Sequence, residues 1–409
     1  MNRSFFAQSP SVLVFLGCLG LATLFVTVLS EAFGIGVLST SFIKTLGKTL
    51  CLCLIAVAMD LVWGYAGILS LGHFAFFGLG GYMIGMWLMY ERTREIVESS
   101  MSDAVIPPTP QEISDAIGNQ IFGVVGSSEF PLIWTFADSL TIQLFLVVAI
   151  PGVLAGLFGW LAFRSRVTGV YLSILTQAMT LALSLYLFQN ESGLRGNNGL
   201  SGLQNLPGVE AGQDVVSMWF FWASALALGL GYLLAARVIS GKFGSVIRGI
   251  RDNEQRVRFL GYAVESYKLV IFAGTAMIAG IAGALYYPQA GIVNPAEIAP
   301  IASIYLAVWV AIGGRGRLYG AVLGAIFVSL VSSYFTGGQA PDINLGFYTI
   351  KWVDWWLVML GISFVLVTLF APKGLGGLVD LWEDRRRPDR HGADLGPDAG
   401  ALREKEAVE

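Results

Sequence analysis

The chain has 409 residues, of which 55% are hydrophobic and only 13% charged, and its mean hydropathy is +0.68. Soluble domains carry roughly 25% charged residues, so this composition excludes a water-soluble globular protein. The net charge of −3 points to no nucleic-acid partner.

Several segments reach the ~20 apolar residues that cross a ~30 Å hydrocarbon core, so the chain reads as an all-α polytopic membrane protein. The first span is expected over 11–30. Its apolar run outlasts the h-region of a signal peptide and no A-x-A site follows, so it is read as retained. The second, 41–62, holds Lys44, Lys48, Cys51 and Cys53. With no matching His or Cys cluster, this Cys-x-Cys reads as packing and not as a zinc site or disulfide.

The next stretch is LVWGYAGILSLGHFAFFG, residues 61–78, where Gly64, Gly67 and Gly72 interrupt an apolar run. In lipid every backbone polar group must be satisfied, so a broken helix survives only where protein or water surrounds it. Glycine-interrupted spans and intramembrane ionisable groups point to transport paths. Tyr65, Ser70 and His73 are therefore candidates to line such a path. The alternative for Ser70 and His73 is an internal hydrogen bond that holds the break. Asp60 reads as an anchor for the adjacent turn.

A third span over 73–90 leads into an extracytoplasmic insertion, 92–132, with short amphipathic stretches. Spans follow at 140–163 and 168–189, the latter carrying Thr176 and Gln177. Gln is costly in lipid, so Gln177 either lines the path or bonds a neighbouring helix. The stretch GLRGNNGLSGL (193–203) reads as a Gly/Asn turn region. After a span at 216–238 comes GKFGSVIRGIRDNEQRVRFLGYAVESYK (241–268), whose apolar residues recur at three- and four-residue steps and break near Asn253 and Glu254. That spacing predicts an amphipathic helix or a pair of short ones. It either lies on the lipid surface or docks in a protein groove, which the acids among its arginines suit better. Spans at 267–288, 301–313, 318–336 and 353–371 complete the set. The segment 301–313 is short and stops at GGRGR, as a half-span or re-entrant segment would, so about nine to ten crossings are expected. Gly81/Gly85, Ala276/Gly280/Ala284 and Gly320/Gly324 follow the small-residue spacing of close helix packing. The tail over 379–409 is charged, rich in Pro and Gly, and expected to be disordered.

With ten spans and a cytoplasmic N-terminus, nineteen of the 25 Lys and Arg residues fall on the inside. The positive-inside rule thus places both termini in the cytoplasm. No G-x-x-x-x-G-K-[ST] phosphate loop occurs, no metal cluster is evident, and neither enzymatic activity nor a cofactor is expected.

GYAGILSLGHFAFFGLGGY resembles the signature of the inner-membrane permeases of the branched-chain amino acid class of ABC importers. RSRVTGVYLSILTQAMT, GGRGRLYGAVLGA and LFAPKGLGGL match the same class in order and spacing, over roughly residues 40–378. DLVWGYAG, SRVTGVY, TQA and GNNGL make the chain most similar to the second, longer permease of the urea-transporting branch. The resemblance, which leaves the first span, the 92–132 insertion and the tail outside it, implies a bacterial inner-membrane permease with a cytoplasmic coupling region at 239–267. With the first span and the insertion, the permease domain is expected over 1–378. The resemblance also implies a homologous second permease, two ATPase subunits and an extracytoplasmic binding protein. Arg248, Arg251, Asp252, Asn253, Glu254, Arg258 and Gly261 would meet the ATPase. Urea needs only neutral hydrogen-bonding groups. No charged pair for an amino acid zwitterion is evident in the spans, which favours urea over a branched-chain amino acid. A passive urea channel is a third reading.

Overall fold

The computed structural model describes residues 10–101, 109–125, 132–206, 212–337, 343–344, 349–370 and 374–377. The expected disordered tail at 379–409 lies outside the described residues. Twelve helices are named here in chain order. They are α1 Pro10–Leu29, α2 Thr40–Asp60, α3 His73–Met101, α4 Pro110–Val125, α5 Leu140–Arg164 and α6 Val170–Leu187, followed by α7 Gln213–Ser240, α8 Lys242–Phe259, α9 Val264–Ala290, α10 Pro300–Gly313, α11 Leu318–Thr336 and α12 Trp352–Phe370.

Seven helical segments among the described residues are long and apolar enough to cross a membrane: those built on α1, α2, α5, α6, α7, α9 and α11. With α3 and the shorter apolar α10 and α12, they account for the nine to ten crossings expected. Helix α10 has 14 residues, about 21 Å at 1.5 Å per residue, and so falls short of a full hydrocarbon core. Helix α3 departs from its expected end at 90 and runs on to Met101. Its extension carries buried Val97 and packs with α4, where Ile117 and Ile121 are also buried. Much of the expected insertion is therefore helical.

Burial sorts the helices. Helix α2 is apolar over its second half and buried from Cys51 to Asp60 apart from Leu52, as a helix surrounded by others must be. It packs against α7, α9 and α11. Its cysteines are free. Cys51 Sγ lies 3.2 Å from Ser224 Oγ and Cys53 Sγ faces the Val322 carbonyl, in keeping with a packing role. By contrast, Leu144, Phe145, Leu157, Leu226, Leu230 and Leu357 stand exposed on α5, α7 and α12, an apolar girdle suited to lipid or to another membrane helix.

Small residues bring the helices close. A Cβ on Gly80 would meet the Gly280 backbone, and one on Gly324 would collide with the chain at Trp309 and Gly313. These contacts join α3 to α9 and α11 to α10 at backbone distance, as small-residue interfaces do.

The two ends of the bundle differ. One is closed by loops: Leu200–Ser201 pairs antiparallel with Ile292–Val293, Trp134 Nε1 donates to the Gly193 carbonyl at 2.7 Å, and Asn294 Nδ2 to that of Asn197 at 2.9 Å. The other gathers the end of α2, α8, and the 314–317 turn.

Candidate functional site

The interrupted stretch begins where α2 gives way to one π-helical turn, Leu61–Tyr65. Ala66 N donates to the Leu61 carbonyl and Ile68 N to that of Val62, wider than α-helical spacing. Gly67 sits at φ +73°, the left-handed region that suits glycine, with Arg251 Cγ 2.9 Å from where a Cβ would stand. Hydroxyls from other helices then take up the freed backbone groups. Ser173 Oγ donates to the Leu69 carbonyl at 2.8 Å. Leu71 N donates to Thr176 Oγ1 at 3.0 Å, while that hydroxyl donates to the Ser173 carbonyl. Phe74 N donates to Ser303 Oγ at 3.1 Å. Helices α6 and α10 thus bracket the break.

His73 opens α3 with no exposed surface. Its Nδ1 lies 3.1 Å from Ser70 Oγ and its Nε2 3.2 Å from Thr275 Oγ1. The Thr275 hydroxyl already donates to the Ile271 and Phe272 carbonyls, each at 2.9 Å. With its single proton committed, it must accept, so Nε2 carries the ring proton and Nδ1 accepts from Ser70. His73 is a neutral clasp between the break and α9. Of the two roles open to Ser70 and His73, this structure displays the internal hydrogen bond: both are fully buried. Thr176 is likewise occupied with backbone, Tyr65 is half-buried beside Leu318, and Gln177 is half-buried on α6.

The end of α2 is tied to two other elements. Asp60 Oδ1 accepts from Gly316 N at 2.7 Å, the anchoring role expected of it. Arg251 on α8 donates from Nη1 to the Gly64 carbonyl at 2.8 Å and pairs through Nε with Asp252 at 3.1 Å. Helix α8 is broken at Asn253 (φ −157°, ψ 95°), where Asn253 Oδ1 accepts from Arg256 N, so it is a pair of short helices. Beyond the break Glu254 accepts from Lys268 at 2.6 Å and Arg258 at 2.9 Å, and Arg258 also pairs with Glu265. Burial works to raise the Glu254 carboxyl, but Lys268 and Arg258 outweigh it and hold it below its ordinary range. Arg251, Glu254 and Arg258 thus each have a partner within the chain, while the Arg251 and Arg258 side chains keep 35% and 37% of their surface exposed. Arg248 is half-buried; Asp252, Asn253 and Gly261 are exposed. What the sequence reading passed over is the tip of this element, where Phe259 is 90% and Leu260 75% exposed.

Two cavities flank the break. The smaller, about 220 Å³, lies under α8 and is lined by Gly67, Leu172, Arg251, Asn253 and Lys268 among others. The larger, about 350 Å³, lies between α2, α3, α9, α10 and α11 and is lined by Lys48, Phe74, Tyr287, Glu297, Trp309 and Ser329 among others. Lys48 and Glu297 each lie in the other's field. The expectation of no charged pair concerned the spans, and Glu297 lies outside them, on the turn before α10. The signal available beforehand was a lysine at mid-span; its counterpart sits 249 positions later in a short turn, Pro295–Ile298, which no local pattern connects to it.

Residues 41–368 match the family described as branched-chain amino acid transport system / permease component. The high-affinity branched-chain amino acid transport system permease protein LivM of Escherichia coli (strain K12) is 25% identical over 232 residues, 51% of each chain. The probable branched-chain amino acid transport permease protein LivM of Methanocaldococcus jannaschii is 22% identical over 326 residues, 79% of this chain and 89% of that one. The autoinducer 2 import system permease protein LsrC of Photorhabdus luminescens is 28% identical over 154 residues, 36% of this chain and 41% of its own. The chain spans about half the length of the Escherichia coli relative. No solved structure matches.

Proposed function

The chain belongs to the permease-component family of branched-chain amino acid transport systems, and on that premise we propose that it forms one half of the translocation path of an ATP-driven inner-membrane importer of branched-chain amino acids. The observation that carries the mechanism is the bond from Arg251 on α8 to the Gly64 carbonyl. Through it, a helix outside the spans is tied directly to a broken segment inside them. Movement of α8 reaches the break without passing through a flexible linker.

The excess of Lys and Arg around α8 and the 314–317 turn supports a cytoplasmic position for that end. An ATPase there would engage the exposed Phe259–Leu260 tip, a hot-spot type of apolar anchor, while Arg251 transmits the motion inward. A second, homologous permease completes the path, two ATPase subunits supply the energy, and an extracytoplasmic binding protein delivers substrate to the end closed by the 190–206 and 291–299 loops. The chain itself catalyses no reaction.

Two considerations move the substrate from urea to an amino acid. The family and the LivM relatives are described by branched-chain amino acid transport. The residues behind the urea resemblance also have structural work: Asp60 holds Gly316 N, Thr176 holds Leu71 N, and Asn197 offers its carbonyl to Asn294. Such brackets say little about cargo.

The test is uptake into proteoliposomes holding the assembled complex and its binding protein. ATP-dependent accumulation of leucine well above that of urea is expected. Urea accumulation exceeding leucine would return the substrate to urea, and downhill urea flux independent of ATP would identify a channel.

A further inference from the structure

The larger cavity poses a chemical problem. Lys48 is half-buried on α2, and Glu297 is exposed at the rim, on the turn before α10. Both line the same space, yet no ion pair within 4 Å joins them among the described residues. Opposite charges lining one confined space attract each other, and a half-buried lysine gains from a carboxylate that reaches it. Here they stand apart across a space whose volume falls within the range of small-molecule sites. Trp309, in the same lining, has a buried indole N–H with no hydrogen-bond partner among the described residues. Buried donors normally find an acceptor.

A solute that carries one positive and one negative group satisfies both ends of this cavity at once. A neutral amide satisfies neither charge, and a simple cation or anion leaves the other uncompensated. The remaining walls suit the rest of such a molecule. Phe74 and Phe77 provide apolar faces, and the hydroxyls of Thr45 and Ser333 provide neutral hydrogen-bonding capacity.

We propose that this cavity is a binding site for a zwitterionic α-amino acid, with Lys48 receiving the carboxylate, Glu297 the ammonium, and Phe74 and Phe77 the apolar side chain. The site deepens the substrate reading above and rests on it. It lies on the side of the break away from α8, so an amino acid released by the binding protein reaches it before the clasp at His73. Phe74 lines the cavity and has its amide held by Ser303, which makes the floor of the site part of the bracketed break. A shift of the break therefore alters the site.

The experiment uses the whole complex in nanodiscs and ligand-observed saturation-transfer NMR, which detects weak binding. Four probes are compared: leucine, isovalerate (the carboxylate without the amine), isoamylamine (the amine without the carboxylate) and urea. In the wild type, leucine gives the strongest signal and urea does not displace it. Lys48→Gln is expected to abolish the isovalerate signal and spare isoamylamine; Glu297→Gln does the reverse. Each weakens leucine roughly tenfold, the loss of one charged hydrogen bond. Lys48→Arg and Glu297→Asp keep the charges and retain leucine. A wild type without leucine signal, or a loss uniform across the probes, or no loss at all, overturns the site. ATP-driven leucine uptake, run on the same preparation, separates the two levels: leucine imported equally by wild type and both Gln variants overturns the site while leaving the importer reading intact.

Discussion

Replacing Arg251 by Ala removes the guanidinium that reaches from α8 to the Gly64 carbonyl over 2.8 Å. A hydrogen bond to a charged donor contributes about 1.5–3 kcal/mol. The Arg251 side chain keeps 35% of its surface exposed, so solvent competes and the lower end applies, about 1.5 kcal/mol. That corresponds to roughly tenfold in the equilibrium between docked and undocked α8. The amides of Ala66, Gly67 and Ile68 close the turn onto Leu61, Trp63 and Val62, and they open when the turn loses its external hold. Hydrogen exchange at these three amides should accelerate about tenfold in Arg251→Ala. The complex should also hydrolyse more ATP per leucine imported, because α8 then moves without moving the break. Arg256→Ala is the control, since Arg256 is exposed on the same helix and has no bond to the break. Unchanged exchange at 66–68 together with an unchanged ATP-to-leucine ratio would refute the linkage.

Thr275→Val keeps the shape of the residue but leaves the His73 Nε2–H without its acceptor. It should cost about 1–3 kcal/mol, read as a lower melting temperature in detergent, and a wild-type melting temperature would mean that the Nε2–Thr275 bond contributes nothing to stability. At the α8 tip, Phe259→Ser with Leu260→Ser should leave membrane levels unchanged while weakening pull-down of the ATPase at least tenfold, as loss of buried apolar anchors does; full retention of the ATPase would place docking elsewhere. The Glu254 carboxyl is held below its ordinary range by Lys268 and Arg258. Its stabilising contribution is therefore complete above the carboxylate's unfolded value and is lost as pH falls through the folded one. Exchange protection at the α8–α9 junction should drop below about pH 4, and Glu254→Gln, already lacking that contribution, should show a flatter profile. An identical acid profile in the variant would assign the pH response to other groups.

The sequence by itself determined the membrane class, nearly every span, the interruption at 61–72 and the break in α8 near Asn253. Each of these is a local property. Apolar length sets a span, glycines and hydroxyls mark where a helix cannot continue, and a three- and four-residue rhythm fails where the backbone bends. The sequence also announced Asp60 as an anchor, because a carboxylate at a span end must find a donor. Only the tertiary structure decided what the polar side chains do. Ser70 and His73 were legible as polar groups in a break, yet whether they face a path or a partner depends on Thr275, 202 residues away from His73. Arg251 and Arg258 read as surface charge until the fold brought Gly64 and Glu265 within reach. The cavity pair is the extreme case, since Lys48 and Glu297 line one space only because the packed helices bring α2 and the turn before α10 to its walls. Hydropathy and backbone preference act over a few neighbours, and so they can be read along a chain. A charge acts on whatever the fold places nearby, so its partner, and with it its function, is fixed only once the helices have packed.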